Sequence, residues 1–527
     1  YVAPDGNDTS QGTELNPFAT IGNALAHARK LRQKDSPVGE IHIILKGGTY
    51  SLDKTITLTH EDSGKPYSPT ITEAAEGESP VISGGAEIKG WNNAGIVDML
   101  PEIAQQNIWT APTPRINGNP MDFRQLYVNG VKMKKASTFD DLSMARLISV
   151  DKSAGELVIP RPTEFNEIPE NLEMTIIQDW VINHMRVDNI KHNNDYQSTL
   201  TFKQPESEIE FKRPWPILKA EENSFSNHCY YFSNALELLN RPQEWFNDRV
   251  NGKVYYWPRF NEKVDAIKAI APIHETLVNI EGTLDNLVSN ITFKGITFEH
   301  TTWMRPSTSG QISLQAGQYL IDAYSDPSTA AGNVAYVGRP SAGISVKNAR
   351  GINFEDCLFQ HMASTAVDFE SGTKQVKVEG CAFNDIGGTA IQAGFFGSET
   401  FEAHQPYNPK DFREVCDSIY ISNNYIVNTA NEDWGCLGIC VGFAANVNIC
   451  HNELRDLPYS AISMGWGWNK ALSCMHGNHI TANHINGFAT QMRDAGAIYT
   501  LSAQPNSSIQ RNRIERVGDP LFDPVMW

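Results

Sequence analysis

The last third of the chain carries a ladder in which a small residue precedes a β-branched one: Ala366-Val367, Ala390-Ile391, Gly438-Ile439, Ala461-Ile462 and Ala497-Ile498. The gaps from Val367 to Ile391 and from Ile439 to Ile462 fit a repeat of about 20 to 25 residues, and the other two hold insertions. Short β-branched runs at that period, separated by Asn, Gly and Asp, specify a parallel β-solenoid, because one coil cannot bury its apolar face alone. Successive coils stack at about 4.8 Å, so equal register in the sequence becomes adjacency in space. A second ladder, Asn-x-Ile/Leu, begins at Asn424, Asn452, Asn483 and Asn512, with Cys357 and Cys381 at the same place in earlier coils. An Asn amide suits a tight turn and can bond to its own copy coil after coil. Cys at that place reads as a small buried filler.

These ladders predict an all-β chain. It is expected to be a right-handed parallel β-helix (solenoid) with an N-terminal helical cap and an inserted β-rich subdomain. Residues 1–95 should hold the cap and first coils. They contain Tyr1-Val2-Ala3-Pro4-Asp5-Gly6, a helical stretch near 20–33 rich in Ala and Leu, and the strand Ile41–Leu45 followed by Gly47-Gly48-Thr49-Tyr50. Across 96–275 the periodicity fails. Phe123–Val128 leads there into an Asn129-Gly130 hairpin signal, and Glu244–Asp248 and Val254–Trp257 read as short strands of an insertion. Coils resume over 276–527, which should carry the cleft.

Composition narrows the function. A formal net charge of −18 argues against a nucleic-acid partner. It argues more weakly against a polyanion such as pectate or heparin, since a groove can be locally basic. No apolar run approaches the roughly 20 residues of a membrane span. The eight Cys lack a CxxC pair or a disulfide-scaffold spacing and read as mostly free and buried. A chain starting at Tyr1 implies a leader already removed, hence a secreted or periplasmic location. No Gly-rich phosphate loop, HExxH or GxSxG is present.

Five stretches carry a family resemblance: Tyr1–Gly6, Phe123–Gly130, Glu237–Trp245, Tyr459–Trp468 with its Gly-Trp-Gly-Trp run, and Asp494–Leu501. Together they resemble glycoside hydrolase family 141, a family of carbohydrate-active β-helix proteins whose activities include α-L-fucosidase and xylanase. The resemblance implies a glycosidase acting on plant-type oligosaccharide or polysaccharide, and a further coil with an Asp-Glu pair beyond Trp527.

Glycoside hydrolysis needs two carboxylates, about 5–5.5 Å apart for retention or about 6.5–9.5 Å for inversion. Counting from the core aliphatic residue as zero, position −6 carries His361, Asp385, Asp433 and Asp456, and position −4 carries Ala363, Gly387, Gly435, Pro458 and then Asp494. Asp494 breaks a column of small or imino residues. Asp456 lies one rung earlier, with Cα atoms expected about 8 Å away, so Asp494 and Asp456 are the predicted catalytic pair. Asp433 is one rung further, and Asp368 is too distant. The bland alternative for Asp385 and Asp456 is a turn residue bonding its own backbone. For His361 it is a turn or stacked residue. His476, His479 and His484 fit no zinc frame, no metal site is expected, and calcium on the Asp ladder is a minor alternative.

Sugar faces stack on aromatic rings and sugar hydroxyls bond to polar side chains. Trp466, Trp468, Tyr459, Tyr499 and Trp434 gather on these coils, with Asp433, Gln491 and Arg493 beside them and His300, Trp303 and Gln315 expected from an earlier coil. Two insertions, 394–417 and 466–477, should wall one side of the cleft. Two competing functions remain. One is a polysaccharide lyase, which needs a Lys or Arg base and has Arg493 as its only nearby candidate. The other is a non-catalytic carbohydrate-binding β-helix or an enzyme fragment.

Overall fold

The structure, a computed structural model, describes all residues except 34–38, 117, 141–142, 166, 222–226, 330–331 and 520–527. The Pro-containing stretch before Trp527, which reads from the sequence as a turn, lies outside the described residues. Three parallel sheets wind around one core, as predicted. The first runs from Ile41–Leu45 to Ser508–Gln510, the second from Gly48–Ser51 to Arg513–Val517, and the third from Ile56–Leu58 to Ile498–Thr500.

The predicted ladders stack rung on rung. Ile344, Val367, Ile391, Ile439, Ile462 and Ile498 are paired in that order along the third sheet. Asn424 Nδ2 donates to Asn452 Oδ1 at 2.9 Å, Asn452 to Asn483 at 2.9 Å and Asn483 to Asn512 at 3.0 Å. Each amide also donates to a backbone carbonyl and accepts a backbone N–H, so a buried polar column leaves no orphaned group. Inside, Phe298, Phe359 and Phe383 stack nearly parallel at 5.2 and 4.7 Å. Cys357 and Cys381 are buried, and all eight Cys are free.

The helix Ile21–Arg32 starts at Thr20, whose side chain accepts the Asn23 N–H, and buries Ile21, Ala24, Leu25 and Ala28 against the first coils. This satisfies the amphipathic pattern and covers one open end of the solenoid.

After the second-sheet strand Pro80–Ser83 the chain leaves the solenoid, and it returns at the third-sheet strand Val278–Glu281. An antiparallel stem, Gly85–Ile88 with Ala269–Pro272, closes this excursion. The coil register is uninterrupted: Val278 pairs with Ile56 on one side and Ile344 on the other. The excursion holds a seven-stranded sheet around Glu173–Gln178 and the twelve-residue Val181–His192, plus a five-stranded sheet. It springs from the corner between the second and third sheets and folds back over that same corner.

Candidate active site

The corner where second-sheet strands turn toward the third sheet is built from residues in left-handed backbone. His300, His361, Asp385, Asn428 and Asp456 occupy it with φ of 66, 55, 57, 52 and 53°. Strand pairing makes these five structurally equivalent, since Thr301 pairs with Met362, Met362 with Ile386, and Ile386 with Thr429, while Val427 pairs with Arg455. Counting back from the core aliphatic residue put Asp433 in this column. The structure corrects that: the loop between Tyr425–Thr429 and Ile439–Val441 is lengthened, Asn428 takes the column position, and Asp433 rides on the extra loop.

His300 and His361 stack at 5.5 Å, and Tyr127 packs on both rings. His361 Nδ1 lies 2.7 Å from Asp385 Oδ2. From the insertion comes the hairpin Tyr127–Val128 and Val131–Lys132, whose Asn129-Gly130 turn has φ of 51 and 74° at its two central residues, as a tight two-residue connection requires. That hairpin delivers Lys132 to the corner. Its Nζ is 2.9 Å from Asp385 Oδ1 and 2.8 Å from Glu432 Oε1, so those two oxygens can be no farther apart than the sum. Asn431 Nδ2 donates to Asp385 Oδ1 at 2.7 Å, and Gln125 Nε2 donates to Glu432 Oε2 at 2.8 Å. Burial opposes ionisation of Asp385, but Lys132 and His361 outweigh it and hold the carboxyl well below the usual carboxylate range.

Asp433 is in the opposite condition. It is buried, and burial pushes its carboxyl up to about 6, against the opposing bonds from Gly435, Cys436 and Gln311. Gln311 Nε2 donates to Asp433 Oδ2 at 2.8 Å, while Gln311 Oε1 accepts the Trp303 indole N–H at 2.8 Å. Among the described residues no cation is paired with Asp433.

Asp385, Glu432 and Asp433 line one cavity of about 440 Å³. Its aromatic walls are Trp303, Trp434, Phe139 and Tyr231, and its roof carries Arg124, Lys134 and Lys135 from the insertion. Three of the expected site residues, Asp433, Trp434 and Trp303, lie in its walls. The catalytic pair expected from register does not: Asp456 is an exposed turn residue ion-paired with Arg516 at 2.8 Å, and Asp494 is exposed beside Asp179 of the insertion. Asp456 keeps the Asp385 column but lies two coils beyond it, and Asp494 sits on the loop between His484–Phe488 and Ile498–Thr500.

The other expected sugar contacts are placed elsewhere. Trp466 is buried, edge-on to Phe396 and Trp468. Tyr459 is buried, donating to the Asp494 carbonyl at 3.0 Å and accepting from Gln315 Nε2 at 3.1 Å. Tyr499 lines a small crevice with Gln315 and Tyr459. The Gln491 and Arg493 backbones bond to Pro458 and to Asp179 of the insertion. His300 is buried behind His361, with Ser83 Oγ at 2.9 Å. The 394–417 and 466–477 insertions do not wall the cavity; Phe395, Phe401 and Tyr407 pack on one another, and Phe396 on Trp466, at the corner between the third and first sheets. The insertion subdomain and residues 303–340 wall it instead.

Reading by register missed Lys132, Gln125, Glu432 and Gln311, and weighed Asp385 as a turn residue. The Asn-Gly turn beside Lys132 is a local signal, but nothing local says which corner the hairpin meets. Among the described residues no group of His, Cys, Asp and Glu is arranged to hold a metal ion. No helix among them is long and apolar enough to cross a membrane.

Residues 106–259 match the family described as the GH141 insertion domain. A solved structure titled "Glycoside hydrolase" superposes with a TM-score of 0.93 at 39% identity, covering 98% of this chain and 89% of its own. The complex structure of XylC with xylose covers 97% of this chain and 69% of its own, at 13% identity and a TM-score of 0.45, too remote to argue from. Among curated proteins no sequence matches the chain. The matched segment is the subdomain that roofs the cavity, and the close superposition spans both it and the coils beneath. The chain therefore belongs to glycoside hydrolase family 141 and is an enzyme that hydrolyses glycosides.

Proposed function

We propose that hydrolysis takes place in the 440 Å³ cavity, with Asp433 as general acid and Asp385 as the ionised carboxylate. The observation that carries this reading is the contrasting surroundings of two carboxyls at one cavity: burial raises Asp433, while Lys132 at 2.9 Å and His361 at 2.7 Å favour the ionised form of Asp385. Environments that push a carboxyl pair apart assign acid and base roles. Asp433 donates its proton to the departing glycosidic oxygen, and Asp385 presents negative charge to the oxocarbenium-like transition state. Trp303 and Trp434 offer ring faces to the sugar, and the volume falls in the small-ligand range of about 300–1,000 Å³. The substrate sugar is an α-L-fucoside or a xyloside, as the family resemblance implies, and the location is secreted or periplasmic.

The test is hydrolysis of aryl α-L-fucoside and aryl β-xyloside by the chain and by Asp433→Asn and Asp385→Asn. Each variant should lose about 10²- to 10⁴-fold in kcat, with the thermal melt retained in Asp433→Asn and lowered in Asp385→Asn, which breaks the pair with Lys132. Wild-type turnover by Asp433→Asn overturns the assignment.

A second reading keeps Asp494. Partial burial and the neighbouring Asp179 raise its carboxyl, while burial of Asp179 is outweighed by His228 and Lys219. That too is a pair pushed apart, across the interface between insertion and solenoid. It predicts loss of turnover in Asp494→Asn and retention in Asp433→Asn, the reverse of the first reading.

A further inference from the structure

The roof of the cavity has a charge arrangement that the hydrolytic step does not use. Arg124 Nη1 donates to Glu173 Oε1 at 2.7 Å and Oε2 at 2.8 Å, and to Ser307 Oγ at 2.6 Å. Lys135 Nζ sits 3.4 Å from the same Glu173 Oε2. Two cations thus share a single carboxylate, whose side chain is 2% exposed. The other acids acting on Arg124, Glu432 and Asp122, are committed to Lys132 at 2.8 Å and to Arg249 at 2.8 Å. Both cations line the cavity together with Lys134 and the neutral donors Thr175 and His184. Burial and then Arg124 keep His184 uncharged at neutral pH, with its pKa pushed down to about 3. Burial followed by repulsion from Arg124 lowers Lys135 to about 8, as expected for a cation whose charge is under-compensated.

This local surplus runs against the chain as a whole, whose formal net charge is −18. On such a surface, two cations on one carboxylate over a sugar-sized cavity favour an anionic ligand there. Arg124 and Lys135 project from the insertion, while Asp385 and Asp433 project from the corner below.

We infer that the roof formed by Arg124 and Lys135 is a subsite for an anionic group on the saccharide, a carboxylate or a sulfate ester. The inference rests on the cavity being the site of hydrolysis, and it adds the charge of the substrate to that reading. A guanidinium and an ammonium that share one buried carboxylate and both line the cavity suit an oxyanion, which charge-assisted bonds would hold there.

The experiment is calorimetric binding to the full chain of D-galacturonate, its methyl ester and D-galactose 6-sulfate. The free acid should bind about tenfold tighter than the ester, the advantage expected of one charge-assisted bond. In Lys135→Met that ratio should fall toward one, and Lys135→Arg should restore it, which separates charge from mere packing. Preference for the 6-sulfate over the uronate identifies the anion as a sulfate ester. Equal binding of acid and ester overturns the inference, and so does failure of both charged probes to bind. Asp433→Asn keeps the acid-over-ester ratio while losing hydrolysis, so failure of the subsite and failure of the catalytic assignment give different results.

Discussion

Removing the Gln311 side-chain amide should move the alkaline limb of activity upward. Asp433 must carry its proton to act as an acid, and its carboxyl is pushed up to about 6 by burial. Its acid form is therefore full well below pH 6 and is lost as pH rises through that value. Gln311 Nε2 donates to Asp433 Oδ2 at 2.8 Å, a bond that favours the ionised form. In Gln311→Met that stabilisation disappears and the ionised carboxylate becomes harder to form. A hydrogen bond to a charged group contributes about 1.5–3 kcal/mol, part of which a cavity water recovers. At 1.36 kcal/mol per pH unit, the limb should rise by about one unit. The assay is kcat/KM against pH from about 4 to 9, because that ratio reports the free enzyme. The counter-intuitive result is that the variant outperforms the wild-type chain in relative rate at alkaline pH, while its optimum rate falls through loss of the Trp303 bond. A limb that stays in place, or moves down, refutes Asp433 as the proton donor.

Further outcomes follow from the same geometry. Lys132→Met strips the cation from Asp385 and Glu432; breaking a buried pair costs about 3 kcal/mol, read as a lower urea midpoint, and the acid limb of activity should move up as Asp385 loses its counter-charge. Asp456→Asn removes only an exposed ion pair with Arg516 and should leave both melting temperature and kcat/KM at wild-type values. Asn452→Ala orphans the Asn424 N–H and amide inside the stacked column and should cost about 2–4 kcal/mol in denaturant unfolding, with Asn452→Cys milder because earlier coils carry Cys at that place. Phe383→Ala opens a hole in the aromatic stack and should cost about 3–5 kcal/mol by the same measurement.

The solenoid was legible because its information is local and repeated. A small residue before Ile391, Ile439 and Ile462, and an amide at Asn424, Asn452 and Asn483, recur at the coil period, and each rung needs only the next to satisfy it. The Asn129-Gly130 turn and the helix Ile21–Arg32 were legible for the same reason, since turn chemistry and amphipathic pattern act over a few residues. Three residues expected at the site, Asp433, Trp434 and Trp303, line the cavity. Asp456 and Asp494, expected beside them, do not. Register along a solenoid holds within strands but slips across corner loops of unequal length, which moved Asp433 out of the Asp385 column, while Asp456 keeps that column two coils beyond Asp385 and faces solvent. Nor does a sequence state protonation. Asp385 and Asp433 differ because Lys132 arrives from more than 250 positions away to meet one, and burial without a cation surrounds the other. The sequence by itself determined the coils and their stacking. The tertiary structure alone decided which charges meet there, because that depends on where a folded insertion lands rather than on any repeat.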